Sequence, residues 1–281
     1  MKTIASVEAM RRERDAVLGS LRAGFVPTMG CLHEGHLSLV RRCRAECDVT
    51  VASIFVNPTQ FGPGEDFARY PRDLDRDSSL LENEGVDLLF VPEASAIYPE
   101  GFSTHVEVAG LPDGLCAAFR PGHFTGVATI VAKLFNIVRP DAAYFGQKDA
   151  QQAALIRRMA TDLDFGIEIV VCPTVREPDG LAMSSRNSYL TAEDRSAAPA
   201  LYRALLAAQG AAATGERSAA ILRSIVEEGL KGTPFRIQYV EVVDAIDLKP
   251  VDRLRREALV AAAAYLGSTR LIDNVIVPAQ G

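Results

Sequence analysis

Two histidines three residues apart, His33 and His36, close the stretch Phe25-Val26-Pro27-Thr28-Met29-Gly30-Cys31-Leu32-His33-Glu34-Gly35-His36. A short apolar run and a glycine turn precede them. An amphipathic helical pattern follows, with Leu37, Val40, Cys43 and Cys47 near helical spacing and Arg41, Arg42 and Arg44 between them. The histidines therefore belong at the first turn of a helix, where backbone N–H groups and the positive end of the dipole attract anions. Residues i and i+3 share a helix face, so both imidazoles can reach one ligand. Strand, glycine turn and helix start with two donors make a phosphate site. Histidines at a helix start also serve as plain caps, and the pair alone leaves that reading open. Cys31, Cys43 and Cys47 lie nearby, but their spacing fits no zinc framework.

A second set of donors stands in Met183-Ser184-Ser185-Arg186-Asn187. Two hydroxyls and a planar guanidinium fork on one loop suit a polyphosphate. A third is Lys148, in Gly146-Gln147-Lys148-Asp149 at the end of a short strand, with Asp149 placed to cap the next helix. Asn57 and Gln60 end a β-branched run in a Pro/Gly-rich turn, 57–64, which is either a ligand edge or ordinary turn chemistry. The acidic run Asp73, Asp75 and Asp77 reads as a solvated helix face, with Asp77 as the one candidate to touch a magnesium ion.

The positioning elements alternate. The pattern predicts helices over 6–22, 70–84, 127–138 and 150–163, and strands over 25–28, 49–56, 87–92, 102–108, 141–145 and 167–172, the last buried. Strands alternating with helices predict a parallel α/β sheet, and the missing GxGxxG after the first strand disfavours a nicotinamide dinucleotide fold. From about residue 174 the character changes. Thr191 caps an alanine-rich helix running to about 209, a second helix spans 218–230, and strand-like runs cover 236–243, 258–266 and 269–277. The expected architecture is a Rossmann-like parallel sheet domain, 1–173, with a smaller C-terminal α+β domain, 174–281, carrying the Met-Ser-Ser-Arg loop.

Composition bounds the partners. A chain of 281 residues, 48% hydrophobic, suits two globular domains. A net charge of −6 disfavours nucleic acid, so any anion site must be local. Five scattered cysteines suit reduced thiols in a cytoplasm. The N-terminal residues have no signal-peptide h-region, and no run of apolar residues is long enough for a membrane span.

Six stretches, in order, resemble the pantoate–β-alanine ligase family (pantothenate synthetases). They are Pro27-Thr28-Met29-Gly30-x-Leu32-His33-Glu34-Gly35-His36, Phe55-Val56-Asn57-Pro58-x-Gln60-Phe61, Tyr70-Pro71-Arg72, Arg120-Pro121-Gly122-His123-Phe124, Tyr144-Phe145-Gly146-x-Lys148-Asp149-x-Gln151-Gln152, and Met183-Ser184-Ser185-Arg186-Asn187. The histidine stretch is similar to the HIGH motif of the nucleotidyltransferase superfamily, and the serine–arginine loop to its KMSKS loop. The resemblance implies condensation of ATP, (R)-pantoate and β-alanine to AMP, pyrophosphate and pantothenate through a pantoyl-adenylate, with Mg²⁺ accompanying ATP and a homodimeric assembly. It implies that His33, His36, Lys148, Ser184, Ser185 and Arg186 act on the phosphates, His36 as the acid. It further implies that Met29, Gly30, Cys31, Leu32, Glu34, Gly35, Gly146, Gln147, Asp149, Val175 and Met183 line the nucleotide. Gln60, Gln152 and Asn57 would hold pantoate, with β-alanine entering near Gln60. Two departures from the family pattern stand out, Cys31 in place of a small residue such as alanine and the stretch Cys116-Ala117-Ala118-Phe119. Two rivals share parts of this pattern. A nucleotidyltransferase acting on a phosphate acceptor would not account for Asn57, Gln60 and Gln152, and a non-catalytic nucleotide binder would be expected to have lost a phosphate donor.

Overall fold

The computed structural model describes residues 1–17, 21–110 and 114–278. They fall into two compact units. One comprises Met1–Ala109, Arg120–Gly146 and Leu155–Pro173; the other Gly110–Phe119, Gln147–Ala154 and Thr174–Gly281.

In chain order the first unit holds β1 (Lys2–Ile4), α1 (Val7–Val17), β2 (Ala23–Thr28), α2 (Glu34–Glu46), β3 (Val49–Ile54), α3 (Leu74–Asn83), β4 (Leu88–Phe90), α4 (Ala94–Ile97), α5 (His123–Val138) and β5 (Ala142–Gly146), then most of α6 (Ala150–Asp162), and β6 (Glu168–Cys172). The strands form one sheet in the order β1-β4-β3-β2-β5-β6, and every pair is parallel. The strand order turns back at β2, with β3 on one side and β5 on the other, so β2 and β5 flank the switch point where ligands of open α/β sheets bind. Phe25, Val26, Val51 and Ala52 are wholly buried, which is why β2 and β3 read as continuous apolar runs. A phenylalanine or valine buried in this way contributes about 1.5–3 kcal/mol.

Several expectations are corrected. The first strand is β1, too short and too exposed to leave a periodic signal. The helix expected over 6–22 is described only as α1; residues 18–20 lie outside the described residues, and exposed Leu21 leads into β2. The helix expected over 70–84 starts at Leu74, with the Asp73 side chain accepting from Arg76 N–H at 3.1 Å. The helix expected from 127 starts at His123. Residues 102–108 form no strand; the Val106 N–H goes to the Thr129 hydroxyl at 2.9 Å instead of to a ladder. β6 is an edge strand, only its Cys172 buried.

The second unit contains α7 (Ala192–Ala197), α8 (Ala200–Ala213), α9 (Ala219–Leu230), β7 (Arg236–Asp244), β8 (Ala258–Leu266) and β9 (Thr269–Val277). Thr191 and Ser218 cap α7 and α9 as their residue types predict. The single alanine-rich helix expected to 209 is two helices, because Pro199 cannot continue the α7 hydrogen-bond ladder. β7, β8 and β9 form an antiparallel sheet in that order. β8 carries four consecutive alanines, Ala261–Ala264, all buried, and α8 buries Ala204, Ala208 and Ala212 in the second unit's core. A Cβ at Gly229 of α9 would lie 2.9 Å from the Ala204 methyl, so small side chains are what let α8 and α9 approach. Among the described residues no helix is long and apolar enough to cross a membrane.

Candidate functional site

The turn after β2 is built from both sides. Thr28 Oγ1 donates to the Ser53 carbonyl at 2.8 Å and accepts from Gly30 N–H at 3.2 Å, tying the end of β2 to β3. Gly30 has φ +80°, and a Cβ there would meet Asp77 Oδ2 at 3.0 Å, so glycine is required. Asp77, 1% exposed, accepts Cys31 N–H at 2.6 Å and Leu32 N–H at 2.8 Å, one on each carboxylate oxygen. Asp77 is therefore not on a solvated face: its carboxylate is the latch of the histidine turn. Arg76 reinforces it, donating to the Leu32 carbonyl at 3.1 Å.

The latch delivers His33 to the N-cap of α2 and His36 to its third helical position. His33 Nδ1 accepts Gly35 N–H at 3.1 Å, and His36 Nδ1 accepts His33 N–H at 3.4 Å. This is a capping box made of two imidazoles, where glutamate or glutamine more often closes it. The rings lie 4.1 Å apart, tilted by 38°. With each Nδ1 serving as acceptor, the neutral rings carry their protons on Nε2. Capping and chemistry, alternatives in the sequence, are here compatible in the same side chains. Glu34 pairs with Arg41, which holds its carboxyl below the usual range, so its side chain is engaged on the surface of α2.

Gln60 stands in a 3₁₀ turn, Pro58–Gln60, beyond the end of β3. Its Oε1 accepts Asn57 Nδ2–H at 3.0 Å and its Nε2 donates to Met29 Sδ at 2.9 Å. A thioether is a weak acceptor, so this amide keeps donor capacity for a better one. Asn57 is wholly buried and fully used. It also donates to the Gly126 carbonyl at 3.2 Å and accepts from the Tyr98 hydroxyl at 2.8 Å and the Thr59 hydroxyl at 3.0 Å. It holds the Gln60 amide in place.

Two side chains of the Arg120–Phe124 stretch, to which the sequence assigns no role, complete this arrangement. His123 Nδ1 lies 2.7 Å from the Gln60 carbonyl, and Arg120 Nη2 donates to the same oxygen at 3.3 Å. Arg120 also grips Glu65 through Nε at 2.7 Å and Nη2 at 2.5 Å. Partial burial pushes the Glu65 carboxyl up, but the Arg120 fork outweighs it and holds it below its ordinary value. A Cβ at Gly126 would lie 2.4 Å from the Thr59 carbonyl oxygen, so α5 packs directly on the turn.

In the second unit, Gln147–Asp149 is a 3₁₀ turn that runs straight into α6. Asp149 thus lies inside the turn and not at the cap position its residue type predicts. Asn274 of β9 donates to the Gln147 and Lys148 carbonyls, both at 3.0 Å, and accepts from Gln147 Nε2 at 3.1 Å. Gln151 is occupied by the preceding loop, bonding Cys116 N–H at 2.9 Å and the Gly114 carbonyl at 3.1 Å, while Gln152 is half-buried beside it in sequence. Val175 and Met183 meet through Met183 N–H on the Val175 carbonyl at 3.0 Å, closing a hairpin that Arg176 and Ala182 bridge. Arg176 makes a fork with Asp273 at 2.6 and 2.9 Å and lies 3.4 Å over the Tyr202 ring. From this hairpin emerges Ser184, whose hydroxyl accepts Arg186 N–H at 3.3 Å and caps the 3₁₀ turn Ser185–Tyr189. The predicted residues thus fall into two groups. Met29–His36, Asn57, Gln60, Asp77 and Gly146 belong to the first unit, and 147–149, Gln152, Val175 and 183–186 to the second.

The comparisons agree along the whole chain. The family model for pantoate–beta-alanine ligase matches residues 1–276. The pantothenate synthetase of Moorella thermoacetica is 54% identical, over 99% of this chain and 98% of the relative. Pantothenate synthetase 1 of Bradyrhizobium diazoefficiens is 56% identical, over 99% and 98%. The crystal structure of the Thermus thermophilus pantothenate synthetase superposes with a TM-score of 0.93 at 50% identity, covering 98% of this chain and 99% of that one. The Francisella tularensis pantoate–beta-alanine ligase, solved with beta-gamma ATP and beta-alanine, gives 0.82 at 35% identity, covering 98% and 97%. From its first strand to its last, this chain belongs to the pantoate–β-alanine ligase family.

Proposed function

We propose that the ATP-dependent joining of pantoate to β-alanine by this chain runs in two steps through a pantoyl-adenylate. In the first, the pantoate carboxylate attacks the α-phosphorus of ATP and pyrophosphate leaves. Charge accumulates on phosphate oxygens, so the protein's part is positioning and electrostatic stabilisation, with no covalent nucleophile. In the second, the β-alanine amine attacks the acyl carbon and AMP leaves.

The observation that carries this reading is the imidazole capping box. It fixes two rings with protons on Nε2 at a helix N-terminus, a donor set suited to a polyphosphate. His33 and His36 bind ATP phosphates, His36 donating a hydrogen bond from Nε2, together with Lys148, Ser184, Ser185 and Arg186. Residues Met29, Gly30, Cys31, Leu32, Glu34 and Gly35 contribute largely through backbone, as do Gly146, Gln147, Asp149, Val175 and Met183 around the nucleoside. Gln60 and Gln152 orient pantoate, Asn57 acting through Gln60. The division of labour is a nucleotide and pantoate domain built on 1–173 and a C-terminal domain, 174–281, bringing the serine–arginine loop, with Lys148 and Gln152 on the 147–154 segment that belongs to the second unit.

Mg²⁺ arrives as part of the substrate, MgATP, held chiefly by phosphate oxygens and water. Among the described residues no group of three or more His, Cys, Asp or Glu is arranged for a metal. The homodimer and the cytoplasmic setting implied by the family belong to the same proposal; none of the five cysteines is in a disulfide, the form a reducing compartment maintains.

The test is exchange of labelled pyrophosphate into ATP with Mg²⁺ and no β-alanine. Exchange that needs pantoate and disappears in His36→Ala is the expected result. Turnover with β-alanine but no exchange under any pantoate concentration would overturn a freely reversible adenylate step.

A further inference from the structure

We propose that two consecutive residues of the last strand, Asp273 and Asn274, are the positioning pair for the second unit's ATP-contacting segments, an inference that rests on the function just proposed. Neither is among the residues singled out from the sequence. Asp273, 3% exposed, and Asn274, 5% exposed, lie in a strand whose other inward residues include Leu271, Val275 and Val277. Each grips a different segment. Asn274 spends both amide hydrogens on the Gln147 and Lys148 carbonyls and its oxygen on Gln147 Nε2. Asp273 spends both carboxylate oxygens on the Arg176 fork, and Arg176 in turn donates to the Gly180 carbonyl at 3.1 Å, fixing the hairpin from which Ser184–Arg186 emerges. The pair is itself joined, Asn274 N–H donating to Asp273 Oδ1 at 2.8 Å.

A buried ion pair and a buried amide add little net stability over apolar side chains of similar shape; what they add is fixed geometry. Here the geometry fixed is that of Lys148 and of the serine–arginine loop. Burial raises the Asp273 carboxyl, and the Arg176 fork pulls it only part of the way back. β9 is hydrogen-bonded to β8 along its whole length, with Asp273 opposite Ala262 and Asn274 opposite Ala261, so both segments are referred to one rigid ladder. Neither residue touches substrate; they act through Lys148 and through the loop.

The experiment compares Asn274→Asp, Lys148→Ala and the double variant in the full chain, with steady-state kinetics and thermal unfolding on each. Asp is nearly isosteric but puts an acceptor opposite two carbonyls. The expected result is a fall in kcat/KM for ATP of ~10–100-fold, as displacement of about 1 Å can produce, with the pantoate KM changed less than about twofold. The double variant should be no worse than Lys148→Ala, because Asn274 acts through that lysine. Additive losses, or equal rises in both KM values, would overturn the proposal. If Asn274→Asp does not fold, Asn274→Ser, which keeps one donor, is read by the same cycle. Unimpaired Lys148→Ala would instead sink the proposed role of Lys148, a failure distinct from a neutral Asn274 variant beside a crippled lysine variant.

Discussion

Replacing Asp77 by asparagine separates a latch from a metal ligand. The carboxylate holds Cys31 N–H and Leu32 N–H, one on each oxygen, at 1% exposure. Asparagine fits the same space, keeps one acceptor and turns an NH₂ toward the other amide. A hydrogen bond to a charged group contributes about 1.5–3 kcal/mol, and leaving a buried donor unsatisfied costs a further ~1–3 kcal/mol. Allowing the turn to relax partly, unfolding free energy should fall by about 2–4 kcal/mol. Asp77→Ala, which loses both bonds, should fall further. Urea unfolding with chelator present and no nucleotide reads this directly, as a lower midpoint at unchanged slope. Ligase activity, measured against Mg²⁺ concentration at saturating ATP, should drop and stay low. A variant within about 0.5 kcal/mol of wild type, the scatter ordinary for silent substitutions, whose activity recovers with added Mg²⁺, would refute the latch.

Three further outcomes follow from the same geometry. His33→Ala should lose ~0.5–2 kcal/mol of cap stability along with activity, whereas His33→Asn should recover the stability but not the activity, by circular-dichroism melting and ligase assay. Gly126→Ala puts a methyl 2.4 Å from the Thr59 carbonyl oxygen; overpacking of about 1–3 kcal/mol should appear in urea melts, with the pantoate KM rising more than the ATP KM. The Glu65 carboxyl sits below its ordinary value in the folded state, so the stability it brings is complete above an unfolded pKa of about 4.3 and is lost as pH falls through the folded value. Glu65→Gln should therefore flatten the acid limb of a urea-midpoint profile below about pH 5 while leaving its neutral slope alone.

Local signals make much of this legible in the sequence. The glycine turn and helical periodicity are enough to place His33 and His36 at a helix start, and Thr191 and Ser218 are recognisable as caps because capping needs only neighbours. Asn57 and Gln60 stand out as amides at a strand end, yet which one keeps spare hydrogen-bonding capacity depends on Tyr98 and Gly126, far away in sequence. Asp77 looks like one more acidic residue on a charged face because its partners, Cys31 and Leu32, lie more than forty positions upstream. Residues 102–108 alternate like a strand, but alternation reports which side chains face inward, not whether a neighbouring backbone is there to pair. Pro199 is a visible break in the alanine-rich helix, and helix propensity on both sides conceals it.

The alanine run of β8 has a consequence for how the second unit tolerates change. Alanine has no side-chain rotamers to freeze, so ordering Ala261–Ala264 costs essentially nothing beyond the backbone. A platform of this kind has almost no internal play, and the neighbouring strand that holds Asp273 and Asn274 inherits that stiffness. The same economy leaves no slack: there is no larger side chain within the run to trim when a methylene is added. Sequence drift in this sheet should therefore be confined to losses and gains of single methyl groups, while the exposed faces of α8 and α9 are open to wide substitution.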